Sequence, residues 1–218
     1  MEDKQRLILM AGAILLSNIF GLLSVRGPME ISFSLTALPI FLLSVTLGWE
    51  TGYVVGVFGG VAQAINYGSP LYIFCTAVLG GVSGYFAKNR GFNRKWSGIF
   101  FSIGVFFMFA WIMFVNENYL ASEVFAILLA LLVFVVLEYH LVRRRVEHSR
   151  LMSLTLAACA GATAYIPFDM AIMGAVQGYG MVQALVVLAK DLVQDYVAAI
   201  LAVVLLQSKT VRKYLAVK

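Results

Sequence analysis

The chain has 218 residues, 61% of them hydrophobic and only 12% charged, with a formal net charge of +5 and a mean hydropathy of +0.90. A typical soluble domain is about 45–50% apolar and about 25% charged, so this balance points away from one and predicts an all-α, polytopic integral membrane bundle. The basic excess excludes little by itself, but its placement argues against nucleic acid: fourteen of the sixteen Lys and Arg residues sit in clusters outside the apolar runs, as membrane orientation requires.

Apolar runs fall at 6–24, 33–48, 51–67, 70–87, 96–115, 121–142, 151–168 and 181–206, which predicts about eight transmembrane segments. The first follows "MEDKQR" and ends in "SVRGPME", without a small-x-small cleavage site, so it reads as a retained helix rather than a signal peptide. The second to fourth runs are short for full spans and are broken by "LGWETG" and "NYGSP". Such interrupted segments are expected as closely packed helices lining a cavity. Gly52, Gly56, Gly59 and Gly60, then Gly80, Gly81 and Gly84, supply the small-residue spacing for close helix approach. Cys75 and Cys159 lie singly within apolar runs and read as packing residues. Residues 96–142 read as a hydrophobic, lipid-facing hairpin ending near Glu138 and His140. With eight crossings, the basic clusters at 88–95, 143–150 and 209–218 and both termini fall on the cytoplasmic side. Arg26 and Glu30 would then belong to an outer loop.

The last run, "VLAKDLVQDYVAAILAVVLL", carries the chemistry. At about 100° per residue, Lys190, Asp191, Gln194 and Asp195 share one face with Gln183, Val187 and Ala198. Ionisable groups at membrane depth cost at least about 2.5–3.5 kcal/mol, so they meet a partner or a cavity. Two aspartates one turn apart exceed what one lysine neutralises unless one is protonated, which favours a further cationic or hydrogen-bond-donating partner. Gln63, Asn66 and Tyr67 share a face at the end of the third run, as helix–helix contact or as part of a binding site. Asp169 follows "YIPF", where Pro167 is expected to kink the chain; a solvated position is the simpler reading, with a binding role as the second.

Catalysis has little support in the sequence. "GVSG" at Gly81 to Gly84 resembles a serine nucleophile motif of rhomboid proteases, but His140 and His148 both flank the arginine cluster, away from any suitable helix. Asp191 and Asp195 share one helix and no GxGD occurs, against a presenilin-type pair. No GxxxxGK[ST] is present, so any ATP hydrolysis would have to come from partners. Neither a metal site nor a cofactor is expected.

The stretch "ISFSLTALPIFLLSVTLGWETGYVVGVFGGVAQAI", with Leu38-Pro39, Gly48, Gly52, Gly56 and Gly59-Gly60, resembles the substrate-capture subunits (S components) of energy-coupling factor transporters. The resemblance covers residues 6–88 and 150–215 as a six-helix core, with 96–142 as an inserted hairpin in a single 1–218 domain. It implies capture of a small vitamin-like solute from outside, with Lys190, Asp191, Gln194, Asp195, Gln63, Asn66, Tyr67 and Asp169 as candidate substrate-binding residues. It also implies docking of a membrane coupling subunit on Ala13, Ser17 and Gly21, two cytoplasmic ATPases as further partners, and the lipid bilayer as surroundings. "MEDKQR" lacks the Met-His terminus of members that carry cobalt or nickel. A stand-alone ion- or proton-coupled carrier, and a scaffold whose polar stripe meets another protein's helix, are the alternatives.

Overall fold

The computed structural model describes residues 3–23, 25–26, 32–88 and 147–215. In chain order these form α1 (Asp3–Leu22), the short strands β1 (Val25–Arg26) and β2 (Ser32–Phe33), then α2 (Ala37–Leu47), α3 (Trp49–Gly59), α4 (Val61–Asn66) and α5 (Tyr72–Lys88). After the undescribed stretch come α6 (Glu147–Ala164), α7 (Ile166–Ala175), α8 (Met181–Leu205) and α9 (Lys209–Tyr214). The strands pair antiparallel, Val25 opposite Phe33 and Arg26 opposite Ser32.

The boundaries follow local chemistry. Pro39 sits in the first turn of α2, where its missing N–H removes no helical bond. Gly48 ends α2 at φ +96°, in the left-handed region that favours glycine. Its N–H bonds the Ser44 carbonyl at 2.9 Å, while its carbonyl accepts from Gly52 N–H at 3.0 Å, so one residue closes α2 and opens α3. Pro167 opens α7 rather than kinking a loop.

Two layers of contact build the core. α3 and α5 cross backbone to backbone: a Cβ on Gly52 would overlap the Gly80 carbonyl oxygen, and a Cβ on Gly56 would overlap that of Thr76. The expected glycine packing is therefore present. α5 then lies against α6, and α2 is held between α1, α3, α5 and α8. Ile40, Phe41 and Val55 are fully enclosed, as are Leu188, Leu192 and Tyr196 of α8. Burying each such large side chain contributes about 1.5–3 kcal/mol. Ala157, Ala158, Cys159, Ala160 and Ala162 make α6 thin enough to sit between its neighbours, and both cysteines are buried. Several buried hydroxyls bond backbone carbonyls: Ser17 Oγ donates to the Thr36 carbonyl at 2.7 Å, Ser83 Oγ to Leu79 at 2.6 Å, and Thr163 Oγ1 to Cys159 at 2.9 Å.

This architecture is all-α apart from the small ribbon, but it corrects the eight-segment count. Among the described residues only Asp3–Leu22 and Ser153–Ala175 are long and apolar enough to cross a membrane, and 72% of the second is buried inside the protein. The second apolar run gives an eleven-residue helix, only about 16 Å long. The third run divides at Gly60 into α3 and α4, and α8 carries three charged residues. The physical reason is that helices buried against each other need the same apolar residues as helices facing lipid. Multi-pass membrane location, cytoplasmic placement of both termini and lipid as a partner rested on eight crossings and lose that basis. The runs 96–115 and 121–142, with Glu138 and His140, lie outside the described residues, as does Glu30.

Candidate functional site

Five parts of the chain converge on one enclosed space. α8 contributes Asp191, Gln194 and Asp195; Tyr165 and Asp169 come from the α6–α7 junction; Tyr72, Cys75, Thr76 and Leu79 come from α5; Thr36, Ala37 and Gln63 close the remaining side. The cavity is small, about 20 Å³, room for one or two water-sized groups.

Its wall is unusually rich in acceptors. Asp169 is 1% exposed, and among the described residues neither of its carboxylate oxygens has a hydrogen-bond partner. Asp195 accepts the Tyr165 hydroxyl at 2.8 Å and a side-chain bond from Gln194. Asp191 is ion-paired with Lys190. Three carboxyls therefore share one lysine. Burial pushes the Asp169 carboxyl up to about 8, reinforced by Asp191 and opposed by Lys190. Burial likewise raises Asp195 to about 7, with Asp191 adding to it and the Tyr165 bond opposing it. The physical cause is shared: a charged carboxylate here loses water and faces like charge. The Cys75 thiol is pushed well up by burial and by Asp169, Asp191 and Asp195, so it remains a protonated, weak nucleophile. The Tyr165 hydroxyl is raised for the same reasons.

The sequence-derived candidates divide accordingly. Asp191, Gln194, Asp195, Asp169 and Gln63 meet at the cavity. Lys190 supports it from the adjoining position through Asp191. Asn66 instead ties α4 to α1, its Nδ2 donating to the Gly21 carbonyl at 2.8 Å. Tyr67 stacks at a tilt on Tyr72, with ring centres 4.8 Å apart. Asp169 is not a solvated residue; the turn between Tyr165 and Asp169 carries both inward. Thr36, Tyr72, Cys75 and Tyr165 were not legible as site residues. Only Tyr165 left a trace, four positions before Asp169 and hence on the same helical face.

Ala13, Ser17 and Gly21 also point inward. Ser17 is fully buried against Thr36 and lies beside Gly59, while Gly21 faces Ala62 and Thr36. They join α1 to its own neighbours, so no docking stripe for a coupling subunit is presented. Lys190, Gln194 and Asp195 are buried as well, which removes the scaffold reading in which another protein's helix meets them.

No protein-family model, curated protein or solved structure matches the chain. The S-component resemblance therefore has neither a family match nor the expected eight-segment bundle behind it. With it fall the importer subunit, its coupling and ATPase partners, and the stand-alone carrier. Among the described residues no group of three or more His, Cys, Asp and Glu side chains is arranged to hold a metal ion.

Proposed function

We propose that this chain is a binding protein, not an enzyme, whose acidic cavity holds the cationic group of a small organic solute. The observation that carries this reading is Asp169: a carboxylate enclosed at 1% exposure, lining a cavity, with both oxygens unpartnered among the described residues. An unsatisfied buried carboxylate is costly, and a bound ammonium would supply both the missing charge and the missing donors. The acceptors around it fit N–H donors. Thr76 Oγ1 donates to the Tyr72 and Ile73 carbonyls at 3.1 and 3.0 Å, leaving oxygen lone pairs as acceptors. Lys190 cannot fill this role alone, because it is held at Asp191. Against nucleophilic catalysis stands the Cys75 thiol, which burial and the nearby carboxyls keep protonated.

Titration calorimetry of the full chain with methylammonium tests the proposal. Binding should strengthen as pH rises from 6 to 8, because the cation displaces protons from Asp169 and Asp195, and it should level off above that range. Asp169→Asn should weaken binding at pH 8 by at least tenfold. Equal affinity of wild type and variant, or no binding at any pH, would overturn the reading.

A further inference from the structure

A second cavity adjoins the acidic one. It measures about 300 Å³ and is lined by Phe20, Leu23, Leu35, Val193 and Val197, with Ser34 and Gln194 as its polar edge. This is the lower end of the size range of small-molecule sites. Gln194 lines both spaces. Helical geometry explains why: at about 100° per residue, Asp191 and Asp195 lie on one flank of Gln194, and Val193 and Val197 on the other. The Gln194 side chain spans the division. Its Oε1 accepts the Ser34 backbone N–H at 2.9 Å, and its side chain also bonds Asp195. A second lone pair on Oε1 remains an acceptor. Ser34 and Thr36 hydroxyls, 3.1 Å apart, continue the polar edge from the groove to the acidic cavity.

Resting on the cation-binding reading above, we infer that the ligand is an amphiphilic amine: an ammonium held among the Asp169, Asp191 and Asp195 carboxylates, carrying an apolar group past the Gln194 amide into the groove of Leu35, Val193 and Val197. The small size of the acidic cavity is what demands this division. About 20 Å³ admits an ammonium head and little more, so a larger substituent must extend beyond it, and the wall shared through Gln194 leads to the groove. The groove is open, with Leu35 39% and Val197 41% exposed, so the apolar end has a route in. A polyamine does not fit this pairing, because its second charge would fall among aliphatic side chains.

Calorimetry of the full chain with methyl-, butyl- and hexylammonium at pH 8, with 1-hexanol as the uncharged counterpart, tests the inference. Affinity should rise about fourfold for each methylene that enters the groove, and 1-hexanol should bind at least tenfold more weakly than hexylammonium. Val197→Trp, which fills the groove, should reduce the ratio of hexylammonium to methylammonium affinity at least tenfold. If methylammonium binds but the series is flat, the groove plays no part and this inference fails while the cation site stands. Equal binding of 1-hexanol and hexylammonium would likewise overturn it. If no ammonium compound binds, the proposed function itself fails.

Discussion

Asp169→Asn should make the empty protein more stable and the binding site worse, and the two effects can be separated. The Asp169 carboxyl titrates ordinarily near 3.8 and is pushed up to about 8 in the folded protein. Between those values the native state keeps a proton that the unfolded chain has released. Raising the pH therefore costs stability throughout this window, at up to about 1.4 kcal/mol per pH unit. Over about four units the loss reaches on the order of 5 kcal/mol, comparable with the whole stability of many domains. Asparagine has nearly the same shape and no proton to lose, so its stability should not follow that slope. Urea denaturation of both proteins at intervals from pH 5 to 9 measures the difference. The variant should gain on the wild type steadily up to about pH 8 and hold a constant margin beyond. Parallel stability curves across the whole range would refute the claim that burial holds the Asp169 carboxyl well above its ordinary range. Methylammonium binding, weakened in the same variant, would mark the carboxylate as retained for function at a cost in stability.

Three further outcomes are expected. Tyr165→Phe removes the 2.8 Å donor to Asp195, a bond that lowers the Asp195 carboxyl; its pKa should move above 7, the pH dependence of methylammonium binding should shift upward, and the lost buried bond should cost about 1–3 kcal/mol in denaturation. Gly52→Ala places a methyl against the Gly80 carbonyl and should destabilise by about 1–3 kcal/mol, whereas Gly174→Ala, which meets open space, should be neutral or stabilising by up to about 1 kcal/mol in the same assay. Tyr196→Phe removes a hydroxyl 2.8 Å from Thr163, but Thr163 keeps its bond to the Cys159 carbonyl, so the loss in urea stability should stay near 1 kcal/mol.

The part of the site most legible in sequence lay within one helix, with Asp169 and Gln63 as isolated candidates beside it. Lys190, Asp191, Gln194 and Asp195 gather by rotation alone, and the carboxylate excess follows from counting them. Their partners come from positions distant in the chain: Tyr165 lies 30 residues before Asp195, and Ser34 lies 160 before Gln194. No local pattern encodes such meetings. Asp169 shows the limit within a single helix, since "YIPFD" reads most simply as the wet end of a span, whereas the turn carries Asp169 inward. Membrane architecture was misjudged for a different reason. Apolar periodicity reports that a face avoids water, and protein interior satisfies that demand as well as lipid does. Glycine spacing transferred correctly because it concerns steric room, which is the same in either medium.

The glycine contact between α3 and α5 also bears on motion. Where backbone meets backbone there are no side-chain rotamers to flex and no methyl groups to slide, so these two helices and the α2 segment joined through Gly48 should behave as a single rigid block. α7 and α8 are joined by side chains across a water-sized void. Any rearrangement that admits a ligand should therefore fall on the Asp169–Asp195 wall rather than on the α3–α5 block.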